Sequence, residues 1–245
     1  MVKAISIAVG GPEWRYKAAV VFAADLLRWR LTGPGRIWKL YVLLQPTVFS
    51  DEYRDMLKAA YANVRYERVQ NTYQFNTERY LVHDRPEVTQ WIAMDSHYDF
   101  RKEDIEKVMR WIVEWNISGK AIMTHSWGKH APSRPWSGGW FGVRKSKWKK
   151  ELGYEESMQD LLNEYFQDDL HKSRQDSTYG DDERILGLIQ REVQDESANV
   201  FFTKTWYSTP GRRLEDGKKL TQKFKDAVNY ILEYTRAETT EDERL

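Results

Sequence analysis

Asp95 and His97 stand two residues apart, just where the apolar run Trp91–Met94 stops. A carboxylate and an imidazole are costly to desolvate unless they are paired, hydrated or bound to a cation. On an extended turn both side chains can face one ion while Ser96 turns away. A carboxylate with an imidazole suits Mn²⁺ or another borderline divalent metal, and such a metal can clamp a diphosphate. Plainer readings stand beside this one. Asp95 alone serves as a strand-end turn residue, and Asp99 is well placed to cap the helix that follows.

Other chemistry is excluded by spacing. The turn Val9-Gly10-Gly11-Pro12-Glu13-Trp14 lacks the G-x-G-x-x-G pattern of a dinucleotide fold, and no G-x-x-x-x-G-K-[ST] loop is present. A G-x-S-x-G elbow and an H-E-x-x-H helix are missing as well. His125 and His130 in THSWGKH are either a second metal or phosphate contact or ordinary polar loop residues. The basic run Arg144–Lys150, RKSKWKK, is either a polyanion contact or a solvated face.

The elements that must position these residues follow from periodicity. Lys3–Val9 reads as a buried strand and Glu13 to about Leu31 as a helix with Tyr16, Ala19, Val20, Ala23 and Leu27 on one stripe. Strand Ile37–Leu44, a helix from Ser50 to about Ala62 and strand Val64–Val69 come next. A helical or irregular stretch Asn76–His83 precedes strand Thr89–Met94, helix Arg101–Trp115 and strand Lys120–Met123. This alternation predicts an α/β fold with a mostly parallel central sheet flanked by helices. In such sheets ligands bind beyond the carboxyl ends of the strands, which is where Gly10 and Asp95 fall. Beyond a Gly, Pro and Trp-rich loop at Pro132–Gly142, helices are predicted at Glu155–Leu170, Asp182–Val193 and Gly217–Tyr234, with a strand in ANVFFTKTW.

Composition limits the function classes. With 41% hydrophobic residues in 245, the chain is neither disordered nor a membrane protein. Its apolar runs are too short to span a bilayer. The absence of cysteine removes disulfides and thiolate chemistry and suits a cytoplasmic protein, at most peripheral to a membrane. The net charge of +1 argues against a polyanionic partner such as nucleic acid.

Taken in order, the motifs resemble a nucleotide-sugar glycosyltransferase of the GT-A fold, of the small type associated with surface-polysaccharide biosynthesis. The resemblance is carried by Arg15-Tyr16 after the first strand, Phe75 to Arg79-Tyr80, Asp95-Ser96-His97 in the place of D-x-D, Gly138-Gly139-Trp140-Phe141-Gly142, and Tyr179-Gly180-Asp181-Asp182. It runs from about Lys3 to Phe202 and departs from the pattern where His97 replaces the second acid.

The resemblance implies a single GT-A-like domain, residues 1–236. Its nucleotide-binding half is 1–124, its acceptor half with the C-terminal helix is 125–236, and 237–245 form a polar tail. It implies a metal-dependent transferase that moves a sugar from a nucleotide-diphosphate donor, a UDP-sugar first, to a saccharide hydroxyl. Mn²⁺ or Mg²⁺ would sit on Asp95 and His97. Gly10, Arg15, Tyr16, Arg79, Asp95, Ser96, Gly138, Gly139 and Trp140 would bind the donor. Asp181 or Asp182 would deprotonate the acceptor, Asp182 being the better helix cap and Asp181 the freer acid. Tyr16 and Trp140 are equally placed to be core residues, and Arg79 to be a surface arginine. A non-catalytic nucleic-acid-binding module using Arg144–Lys150 and a catalytically degenerate GT-A domain are the alternatives.

Overall fold

The computed structural model describes residues 1–66, 76–125, 136, 139–152, 157–167, 181–193, 196–203 and 210–242. Of residues 149–152, 167, 181, 182, 192, 196, 197 and 239–242 it describes the backbone.

Strand β1 (Val2–Val9) leads to helix α1 (Glu13–Arg28). Strand β2 (Trp38–Leu44), helix α2 (Ser50–Ala59) and strand β3 (Asn63–Tyr66) follow. A 3₁₀ helix, Asn76–Asp84, precedes strand β4 (Val88–Met94) and the short strand β5 (Tyr98–Asp99). Helix α3 (Lys102–Ser118) leads to strands β6 (Ile122–His125) and β7 (Trp140–Arg144). Helices α4 (Lys145–Leu152), α5 (Met158–Gln167), α6 (Asp181–Glu192) and α7 (Glu196–Asn199) precede strand β8 (Val200–Thr203). Strand β9 (Arg212–Arg213) and helix α8 (Lys218–Asp242) complete the order.

Seven strands form one sheet in the order β3-β2-β1-β4-β7-β6-β8, and β5 pairs with β9 apart from it. All neighbours in the large sheet run parallel except β7, which lies antiparallel between β4 and β6. The mostly parallel α/β architecture expected from the alternation is therefore the observed one. The antiparallel strand is a departure: its first three residues, Trp140–Gly142, fall in the stretch read as loop, because Gly139 and Gly142 interrupt the apolar run. Its pairing explains Gly142, where a Cβ would stand 3.1 Å from the Trp91 carbonyl.

Both sheet faces are covered, so its strands read as nearly continuous apolar runs. Ile5, Ile7, Val9, Ile92 and Met94 pack on one side with Tyr16, Phe22 and Leu26 of α1, Trp111 and Trp115 of α3, and Ile231 of α8. Ala4, Trp91 and Ala93 pack on the other with Tyr80 of the 3₁₀ helix, Leu162 of α5 and Ile185 of α6. Helix α8 runs on to Asp242, past the Tyr234 end and into the tail that the sequence marked as polar. Among the described residues no helix is long and apolar enough to cross a membrane.

Candidate functional site

The parallel strands end on one edge. Register places Asp95 one residue beyond the Met94–Trp140 pair, so its backbone N–H reaches the Gly139 carbonyl at 3.3 Å. At the neighbouring β1 end, Gly11 turns with φ +86°, the left-handed region that favours glycine. Gln45 closes that turn: its side-chain carbonyl accepts the Gly11 N–H at 3.0 Å and its own N–H donates to Val9 at 3.0 Å.

Asp95 is held from two sides. Nη1 of Arg79 donates to its Oδ1 at 2.6 Å. The Arg79 side chain is only 2% exposed, whereas that of Asp95 is 27% exposed. The guanidinium is therefore an internal clamp and the carboxylate faces the open edge. Gly139 leaves room for the second oxygen, since a Cβ there would stand 2.8 Å from Oδ2. Burial pushes the Asp95 carboxyl up, but Arg79, through charge and hydrogen bond, together with the charges of His97 and Arg213, outweighs it and holds the group below the usual carboxylate range.

His97 lies beside this pair. Its ring stacks on Tyr98 at 5.2 Å between centroids and meets the Trp14 ring edge-on at 6.4 Å. The guanidinium of Arg15 lies over the other ring system of this group, 5.5 Å from the Trp14 centroid. The His97 carbonyl accepts the Leu214 N–H at 2.7 Å, and Tyr98 pairs with Arg213, so β9 carries Arg213 to the site. Burial holds the His97 pKa below its ordinary value; Asp95 opposes this, and Arg213, Arg15 and Arg79 add to it. The imidazole thus holds its proton less well than a free one, inside a field to which three guanidinium groups contribute.

The structure thus brings together Asp95, His97, Arg79, Arg15 and Gly139, and adds Trp14 and Arg213, which sequence reasoning missed. Arg213 had one signal, a basic pair between the turns at Pro210-Gly211 and Gly217, but nothing in its spacing ties it to Asp95.

Several expected donor contacts are corrected. Ser96 is buried and its hydroxyl donates to the Ala8 carbonyl at 3.4 Å, so it ties the turn to β1 and faces no ligand. Tyr16 is wholly buried, with its hydroxyl donating to the Gln45 carbonyl at 2.8 Å and its ring against Phe49 and Tyr53. It is core, not a nucleobase platform. Trp140 is buried with its ring stacked on His125, so it presents no face to a sugar. His125 is buried as well, with Nδ1 against the Thr203 hydroxyl, and burial with the nearby Lys107 charge pushes it down to about 3. Asp99 does not cap α3. It is buried against Lys223, while Arg101 occupies the N-cap and its N–H donates to Asp104 at 3.0 Å.

The basic run offers no open aromatic platform. Trp148 is buried, Arg144 donates to the Trp115 carbonyl at 2.6 Å, and Lys145 donates to the Arg85 carbonyl at 2.8 Å. Phe75, His130, Gly138, Tyr179 and Gly180 lie outside the described residues. The backbone of Asp181 and Asp182 opens α6, and their side chains lie outside what is described.

The donors expected for Mn²⁺ or Mg²⁺ fit a dication poorly. One Asp95 oxygen is engaged by Arg79. The surrounding charge is positive, and among the described residues no group of three or more His, Cys, Asp or Glu side chains could hold a metal ion.

No family model matches the chain, and no curated protein matches its sequence. Among solved structures, the 4-diphosphocytidyl-2C-methyl-D-erythritol synthase of Anaerococcus prevotii is similar at 12% identity and a TM-score of 0.51, over 95% of this chain and 98% of that one. The glycosyltransferase GlyE of Streptococcus pneumoniae aligns at 14% identity and a TM-score of 0.47, over 84% of this chain and 46% of that one. The galactosyltransferase LgtC, solved with donor and acceptor sugar analogues, aligns at 12% identity and a TM-score of 0.49, over 77% of this chain and 70% of that one. The full-length likeness to the synthase bears on the fold alone, a mostly parallel α/β sheet flanked by helices.

Proposed function

We propose that this chain is a transferase that moves a sugar from a nucleotide-diphosphate donor to a saccharide hydroxyl. The observation that carries the reading is the Arg79–Asp95 clamp beside Gly139, set at the carboxyl edge of the sheet and flanked by Arg15, His97 and Arg213. Guanidinium groups recognise phosphate by forked, charge-assisted hydrogen bonds. The half-exposed Trp14 beside His97 offers a flat apolar wall next to those charges. The retained Asp95 carboxylate gives a hydrogen-bond acceptor for sugar or ribose hydroxyls.

In this reading the acceptor hydroxyl attacks the anomeric carbon as its proton passes to a carboxylate. The bond between that carbon and the diphosphate oxygen breaks, and the nucleoside diphosphate leaves with the electron pair. The arginines stabilise the charge that grows on the leaving phosphate, an effect strongest in a partly dehydrated site. Asp181, the first residue of α6, is the proposed base; Asp182, which the sequence suggested as the cap, lies one residue inside the helix and is an acid of its first turn. UDP-sugars are the first donors to test.

The test is direct. The full chain is incubated with UDP-, GDP-, CDP- and TDP-sugars and a panel of mono- and oligosaccharides. Mass spectrometry then seeks an acceptor heavier by one glycosyl unit together with released nucleoside diphosphate. A second reading, nucleotidyl transfer, is favoured by the matched length and fold of the Anaerococcus prevotii synthase. Release of pyrophosphate from a nucleoside triphosphate in the presence of a sugar phosphate, with no glycosyl transfer, would replace the first reading by the second.

A further inference from the structure

We infer that the charge of the donor diphosphate is met by Arg15, Arg79 and Arg213, and not by a divalent cation on Asp95 and His97. The inference rests on the proposed reading of the chain as a nucleotide-diphosphate-sugar transferase. It changes what the D-S-H stretch does: Asp95 is a positioning residue for Arg79 and the donor, and His97 an aromatic wall beside Trp14 and Tyr98.

Three observations converge. The first is the clamp. Arg79 is almost wholly buried and donates to Asp95 at 2.6 Å. A cation on this carboxylate would compete with a buried guanidinium for the same oxygen.

The second is charge. Arg15 and Arg213 make no ion pair among the described residues, and Nε of Arg15 is buried without a hydrogen-bond partner. Among the described residues, the charges of Arg15, Arg79 and Arg213 act on one carboxylate and one imidazole, and their sum is positive. A dication entering the site is repelled by the field that attracts a diphosphate.

The third is topology. β5 and β9 pair through Tyr98–Arg213 and Asp99–Arg212, and the Leu214 N–H locks onto the His97 carbonyl. The chain segment that follows β8 is thereby fastened to the turn carrying Asp95 and His97. Asp99, buried against Lys223 of α8, anchors this ribbon from below. The outcome is an arginine supplied from the far end of the sequence to the neighbourhood of Asp95 and His97.

Calorimetric titration of the full chain with UDP, GDP, CDP and TDP, and with inorganic pyrophosphate, tests this in EDTA and again in MnCl₂. The expected result is that the best-bound nucleotide has the same Kd within about threefold in both buffers, and that pyrophosphate competes with it. Arg213→Ala should weaken that nucleotide by about tenfold or more, the effect of losing one charge-assisted phosphate contact. Arg213→Lys should recover part of the loss, because a point charge lacks the fork. Arg213 is exposed on a two-residue strand, so its truncation leaves both cores intact. Binding that needs MnCl₂ and ignores Arg213→Ala overturns the inference and leaves the transferase reading standing. If none of these diphosphates binds in either buffer, the transferase reading itself falls, and the inference with it.

Discussion

Gly139→Ala is the sharpest perturbation of the site. Gly139 lacks the left-handed φ that would strain an alanine, so the substitution acts only through its new methyl group. That group would stand 2.8 Å from Asp95 Oδ2 and 3.4 Å from its Cγ. Ordinary carbon–oxygen contact needs several tenths of an ångström more, so the carboxylate must rotate or retreat. It cannot do so freely, because Oδ1 is bound to Arg79 at 2.6 Å and the Asp95 backbone is paired to Gly139 itself. Crowding of this kind costs about 1–3 kcal/mol. Loss of the partly buried ion pair would raise the cost toward about 3–5 kcal/mol. For a chain of this size the lower range lowers Tm by roughly 3–10 °C. The assay pairs differential scanning calorimetry with nucleotide-diphosphate titration, in wild type, Gly139→Ala, Asp95→Ala and the double variant. The double variant should lose no more than Asp95→Ala alone, because removing the carboxylate removes the clash. Additive losses, or a Gly139→Ala protein that melts and binds like wild type, would refute the proposed contact.

Three further outcomes follow from other groups. Asp25 is buried, accepts the Phe100 N–H at 2.8 Å and faces Arg28, Lys223 and Asp99; burial, the largest influence, pushes it up to about 6. The folded state therefore holds this proton more tightly than the unfolded chain, so the contribution of Asp25 to stability is greatest below about 4, falls as pH rises to about 6 and stays lower above. Asp25→Asn should stabilise the protein at pH 8 by about 1–3 kcal/mol and have little effect at pH 4, as followed by urea unfolding. His83 is buried and accepts the Trp91 indole N–H at 3.0 Å; burial, with Lys145 nearby, pushes its pKa down to about 4. It binds its proton less well when folded, so its contribution is complete above pH 6.5 and fades toward pH 4, by about 3 kcal/mol; His83→Gln should flatten this part of the pH–Tm profile. Asp181→Asn should lower kcat by about two to four orders of magnitude with little change in donor Kd, and Asp182→Asn should do far less; equal turnover in Asp181→Asn and wild type would remove the base.

Much of the frame was legible in the chain itself. The alternation of apolar strands with amphipathic helices depends on near-neighbour spacing, and it foretold the parallel sheet and the edge where Asp95 and Gly10 stand. Boundaries moved by a few residues, since they depend on caps such as Arg101-Asp104 at α3, where Asp99 had looked the better cap. What local spacing could not show was direction. Tyr16 and Trp140 are aromatic residues next to motif positions, and only packing against Phe49 and His125 turns their rings into the core. β7 stayed hidden because its glycines break the apolar run, and its place between β4 and β6 is a long-range pairing.

The electrostatic character of the site belongs wholly to the tertiary structure. Sequence alone put a carboxylate and an imidazole two residues apart, and from that spacing a metal was one reading beside a plain strand-end turn. The fold then closed Arg79 onto Asp95 across 16 positions and used the β5–β9 ribbon to carry Arg213 to the same turn. Charge acts through space and falls off with distance, not with position along the chain. A sequence therefore names the groups that can bear charge, and only the folded chain decides which of them share one field.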